Sequence, residues 1–99
     1  MPKDSLSVVA RIKALPDKVE AVRSILLGLI EPTRKEEGCI TYELLQNKAD
    51  PTDFTFVEEW QSENVLDRHA ASDHLKAATE NLRGMIAEAP DIRRYLLVK

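Results

Sequence analysis

The chain has 99 residues, enough for one domain (residues 1–99) and not two. Seventeen acidic against 14 basic side chains give a net charge of −3, which argues against nucleic acid, whose phosphates need a basic partner. No apolar run approaches a membrane span, Met1-Pro2-Lys3-Asp4-Ser5 offers no signal core, and the lone Cys39 excludes an intramolecular disulfide or a cysteine-based metal cluster, so a reduced cytoplasmic domain is expected.

Leu6 to Ala14 alternates Leu6, Val8, Ala10 and Ile12 against Ser7, Val9, Arg11 and Lys13, the period of a strand. Leu15-Pro16-Asp17 ends it and opens a helix in which Val19, Val22, Leu26, Leu29 and Thr33 recur every three or four residues. Pro32 has no N–H to give the carbonyl of Gly28, so a kink is expected there, and Gly38 is the natural stop. Cys39 to Gln46 reads as the second strand, with Ile40, Tyr42 and Leu44 on one face. The turn formers of Asn47 to Asp53 make a hairpin loop, and Phe54 to Trp60 is the third strand, with Phe54, Phe56, Glu58 and Trp60 together. Ser62 caps a short helix holding Val65, Leu66 and His69. Ser72 caps a second piece whose stripe is Leu75, Ala78, Leu82, Met85 and Ile86. Pro90 closes it, and Ile92 to Val98 is the last strand.

The order β-α-β-β-α-β is the ferredoxin-like pattern, an α+β fold with a four-stranded antiparallel sheet and its helices on one face. Pairs such as Val8-Val9, Leu44-Leu45, Phe56-Val57 and Leu96-Leu97 put apolar residues on both sides of the strands. Two helices cover one face, so the other calls for a second copy of the chain: a homodimer packed sheet against sheet.

His69 and His74 are the only histidines, five residues apart. On one continuous helix that spacing separates them by about 140°, unlike the i, i+3 or i, i+4 pair of a helical metal site, so no metal is expected. If Ser72 breaks the helix, the two rings can converge on one cavity. A neutral imidazole is the most suitable general base in the chain, against the plain alternative of two histidines without a role. Glu58 and Glu59 are consecutive in a strand and point to opposite faces, so they cannot act as a pair on one bond. One of them is a candidate to orient an imidazole, the alternative being a salt bridge at the strand end. Tyr42, Phe54, Phe56 and Trp60 are core aromatics or, for Tyr42 and Trp60, pocket walls with a polar hydrogen to offer. Arg93 and Arg94 read as surface charges, one of which could answer an anionic substrate. No phosphate-cradling loop, serine nucleophile motif or dinucleotide fingerprint is present.

Three blocks, Glu36-Glu37-Gly38-Cys39-Ile40-Thr41-Tyr42-Glu43-Leu44, Phe56-Val57-Glu58-Glu59-Trp60 and His69-Ala70-Ala71-Ser72-Asp73-His74-Leu75, resemble the antibiotic biosynthesis monooxygenase family over essentially the whole chain. The resemblance implies dimeric α+β barrels with a pocket between sheet and helices. It also implies oxidation of quinols or other electron-rich aromatics by O₂ as co-substrate, with no metal, flavin or haem cofactor. Carried to this chain, it makes His69 and His74 candidates for proton transfer, Tyr42, Phe56 and Trp60 pocket walls, and Glu58 or Glu59 an orienting carboxylate. Haem-degrading relatives of this fold use an Asn, a Trp and a His where this chain has Ala10, His69 and Thr79, which argues against haem here. Two other readings stay open: an isomerase of a small phosphorylated signalling sugar, for which Arg11, Arg93 or Arg94 could supply cationic contacts, and a small-molecule-binding or stress protein without turnover.

Overall fold

The computed structural model describes residues 5–99; the start of the segment read above as lacking a signal core, Met1-Pro2-Lys3-Asp4, lies outside the described residues. In chain order the elements are β1 (Leu6–Lys13), α1 (Val19–Leu27), α2 (Ile30–Arg34), β2 (Cys39–Gln46), β3 (Asp53–Trp60), α3 (Glu63–Ala70), α4 (Asp73–Asn81) and β4 (Asp91–Tyr95). The strands form one antiparallel sheet in the order β2-β3-β1-β4. This is the expected ferredoxin-like arrangement. The inward residues of β1 and β3, among them Val8, Ile12, Phe54, Phe56 and Trp60, pack with Val22, Leu26, Leu66 and Leu82 of the helical layer into one core. No helix among the described residues is long and apolar enough to cross a membrane.

Several local expectations are corrected. The first helix does not kink at Pro32; it breaks into α1 and α2 at Gly28 and Leu29. Pro32 therefore falls in the first turn of α2, where its missing N–H would have had no intrahelical partner. Ala14 is outside β1 and makes an isolated bridge to Ile86. The last helix stops at Asn81 rather than carrying its stripe to Met85 and Ile86, and the chain turns through Gly84 at φ 76°. Its fourth strand covers Asp91–Tyr95, not Ile92 to Val98. Tyr95 already pairs with Ser7, and β1 begins at Leu6, so there is little strand left to receive Leu96, Leu97 and Val98, which are exposed.

The register of β2 is also shifted. Cys39 lies opposite Trp60 but Thr41 opposite Glu59, so a bulge absorbs Ile40. Cys39 and Tyr42 thus join the covered face, and Ile40, expected beside Tyr42, is exposed. Arg34 holds this segment to α2, its Nε and Nη2 both donating to the Tyr42 carbonyl at 3.1 and 2.9 Å.

Candidate active site

An apolar cavity of about 160 Å³ lies between the sheet and the helices. Val8, Ala10 and Ile12 of β1, Phe56 of β3, Leu26 and Leu29, and Leu75, Ala78 and Leu82 supply most of its wall. The polar exceptions are Tyr42, Glu58, His69, Thr79 and Arg94. The alternation of β1 and β3 sends every second side chain inward, which is why Glu58 reaches the cavity while its neighbour Glu59 is turned to the open face of the sheet.

His69 sits in the last turn of α3, and Ser72 ends that helix and caps α4. The Ser72 hydroxyl donates to the His69 carbonyl at 2.7 Å and accepts from the Leu75 N–H at 3.3 Å. The break redirects the chain so that His74, in the first turn of α4, faces the same point as His69, their ring centroids 6.1 Å apart. That point is Glu36, in the connection between α2 and β2. One oxygen, Oε2, accepts from Nδ1 of His69 at 2.8 Å and from Nε2 of His74 at 2.6 Å. Side-chain exposure rises along the line, from 6% at His69 to 17% at Glu36 and 27% at His74.

With Nδ1 committed to a carboxylate, Nε2 is the nitrogen of His69 left for a ligand, and the carboxylate favours the tautomer in which it is an acceptor. The ring is held from other sides too. Trp60 lies tilted at 4.7 Å between centroids and Tyr42 edge-on at 5.7 Å, with Tyr42 stacked on Phe56 at 4.7 Å. Rigid aromatic walls of this kind limit how the imidazole can rotate.

Glu58 is the second acid–base group of the cavity. Burial pushes its carboxyl up to about 7, and the negative charge of Glu36 adds to the rise. Trp60 opposes the shift by donating its Nε1–H to Glu58 Oε1 at 2.8 Å. Burial also raises the Tyr42 phenol well above its ordinary range, so it stays protonated at neutral pH. Arg94 is the one cation among the described lining residues, and Glu63 and Asp67 already engage it at 3.4 and 2.9 Å.

The structure therefore brings His69, Tyr42, Phe56 and Glu58 to the cavity and leaves His74, Trp60 and Glu59 off its wall. His74 acts on Glu36, and Trp60 stands behind Glu58 and His69. The carboxylate hydrogen-bonded to His69 is neither Glu58 nor Glu59 but Glu36. Sequence reasoning missed it because no periodicity joins a turn residue to a helix 33 positions later. The available signal was its place at the head of the Glu36-Glu37-Gly38-Cys39 block, just before a glycine at φ 87°. Glu36 Oε2, His69 Nδ1 and His74 Nε2 lie within 4.8 Å of one another and are the group in the described residues with the donor set for a metal ion.

Comparisons with known proteins bear on the family and the fold. An uncharacterised Synechocystis protein is 29% identical over 97% of this chain, which spans 65% of that protein's length. The Escherichia coli protein named "Probable quinol monooxygenase YgiN" is 28% identical over 84% of this chain and 89% of its own. The crystal structure of PA3566 from Pseudomonas aeruginosa matches with a TM-score of 0.92 and 26% identity, over 100% of this chain and 99% of that one. The family model described as antibiotic biosynthesis monooxygenase matches residues 5–81, a span that holds every strand but the last, both histidines, Glu36 and Glu58. On that match, the chain belongs to the antibiotic biosynthesis monooxygenase family.

Proposed function

We propose that this protein is a monooxygenase that oxidises a quinol or a similar electron-rich aromatic with O₂ and no resident metal, flavin or haem. Family membership and the name of the E. coli relative support the monooxygenase class. The observation that carries the finer reading is His69, an imidazole fixed on Nδ1 by Glu36 in the wall of an apolar cavity. A quinol hydroxyl placed at Nε2 loses its proton there, and the resulting anion is far easier to oxidise. The substrate then supplies the electrons: quinol plus O₂ gives hydroxylated quinone plus water, so no external reductant enters. The apolar wall excludes water and holds the ring, and Tyr42, together with Glu58 in its protonated form, supplies donors for oxygen atoms that gain charge. The volume is close to the ~150 Å³ of an apolar cavity that admits benzene, which favours a single-ring substrate.

The isomerase reading finds less support. A phosphorylated sugar wants free cations, and Arg94 is already held by two carboxylates. The reading includes a cytoplasmic location, in keeping with the free thiol of Cys39, and a homodimer through the open sheet face, where Val9, Leu45, Val57 and Tyr95 are exposed. Light scattering at micromolar concentration should give twice the chain mass.

The test is O₂ consumption by chelator-treated protein with reduced benzo- and naphthoquinols, after subtraction of autoxidation. The expected result is catalysis that falls by ~10²-fold or more in His69→Ala, the range for a general base. No rate above autoxidation, or an undiminished rate in that variant, overturns the proposal.

A further inference from the structure

The spacing of His69 and His74 speaks against a histidine metal site only on the assumption of one continuous helix. The break at Ser72 removes that assumption and brings the two rings and Glu36 together. We propose that Glu36 Oε2, His69 Nδ1 and His74 Nε2 form a binding site for a zinc-like divalent transition ion, and that the ion switches off His69 as a proton acceptor. The first half stands on geometry alone; the second rests on the function proposed above.

Two imidazoles and a carboxylate are a donor set suited to Zn²⁺, Co²⁺ and their neighbours, and three protein ligands leave a fourth position for water. A tetrahedral ion with bonds of about 2.0–2.1 Å holds its donors ~3.3 Å apart. Here the carboxylate oxygen is 2.6 and 2.8 Å from the two nitrogens, and no pair of the three atoms exceeds 4.8 Å. Shifts of about 1.5 Å or less, within reach of side-chain rotation, convert the hydrogen-bonded cluster into a coordination site. The three donors come from separate elements, and His69 is pinned by Trp60 and Tyr42, so much of the site is already ordered. Glu36 and His74 are half-buried, which lets an ion enter from solvent without crossing the cavity.

Coordination has a definite consequence for the cavity. The ion takes the Nδ1 lone pair, so the proton that Nδ1 donates to Glu36 must sit on Nε2 instead. The neutral ring keeps one proton throughout, and nothing is oxidised or reduced. The nitrogen left for a quinol then becomes a donor, and His69 no longer accepts the hydroxyl proton. The ion is thus an inhibitor and not a cofactor.

The decisive experiment titrates the chelator-treated full chain with Zn²⁺ and with Co²⁺, following heat and the visible Co²⁺ absorption. One ion per chain is expected, with the band of a low-coordinate Co²⁺ site. Loss of a hydrogen-bond partner to a ligand already weakens metal binding by ~10–100-fold, so His74→Ala and Glu36→Gln should each exceed tenfold. His74 is partly exposed, so its variant keeps the fold if circular dichroism is unchanged; Glu36→Gln is the independent check. Absence of binding at micromolar ion, or binding that neither substitution weakens, overturns the site. In the activity arm, Zn²⁺ should suppress quinol-dependent O₂ uptake over the concentration range in which it binds. Binding accompanied by faster or unchanged turnover overturns the inhibitory role. If no quinol is oxidised, the function proposed above fails while the binding arm still decides the site.

Discussion

The two faces of the sheet are built from the same strands, yet they set their side chains in different solvents. Glu58 and Glu59 are neighbours in β3. Glu58 is buried under the helices, hydrogen-bonded to Trp60 and pushed up to about 7, whereas Glu59 shares the open face with Ser7 and Thr41. On the covered face Val8, Phe54, Phe56 and Trp60 lie deep in the core. On the open face Val9, Leu45, Val57 and Tyr95 stand among Glu43, Arg93 and Arg11. The cavity lies on the covered side, where burial raises the Glu58 carboxyl and packing holds the His69 imidazole.

The comparison breaks most sharply at Trp60. Trp60→Ala removes a fully buried indole and the donor to Glu58, and should cost about 3–5 kcal/mol in urea unfolding. Next comes Glu58. Its pKa is higher folded than unfolded, about 7 against 4.5, so its protonated form favours the fold. That stability is fully present below pH 4.5 and is lost as pH rises toward and through 7, by about 3 kcal/mol for a shift of this size. Glu58→Gln keeps an oxygen for Trp60 and cannot ionise, so its unfolding midpoint should fall less steeply than that of the parent protein between pH 5 and 8. An equal slope in both proteins would show that Glu58 is not the group responsible.

Gly38 tests the turn that presents Glu36 and starts β2. Its φ of 87° suits glycine, and an added Cβ would sit 2.7 Å from the methyls of Val65 on α3. Gly38→Ala should lose roughly 2 kcal/mol or more, from the left-handed backbone and the overlap together, and thermal unfolding measures it. The smallest effect on the folded chain belongs to the open face. Val57→Ser should change monomer stability by no more than about 0.5 kcal/mol, yet lower the mass seen by light scattering if that face joins two copies. A dimer unaffected by this change would place the contact elsewhere.

Much of the fold was legible because alternation and helical spacing are local properties. Leu6, Val8, Ala10 and Ile12 declare their face within eight residues, and Ser62 and Ser72 declare two helix starts by their hydroxyls. Where a local rule failed, a partner had overridden it. Pro32 by itself predicts a kink, but the helix breaks earlier, at Gly28 and Leu29, and the proline falls harmlessly in the first turn of α2. The end of β4 depended on where β1 begins, and the placement of Ile40 on a bulge opposite β3.

The site divides in the same way. Residue types and spacing were enough to single out His69 and His74, to separate Glu58 from Glu59, and to place Tyr42 and Phe56 on an inward face. Only the tertiary structure chose the carboxylate that holds His69, since Glu36 reaches it from a turn 33 residues away. It also turned two histidines about 140° apart on an ideal helix toward one oxygen. Periodicity fixes which way a side chain leaves its own element; which groups then meet depends on how the elements pack, and that is a property of the whole chain.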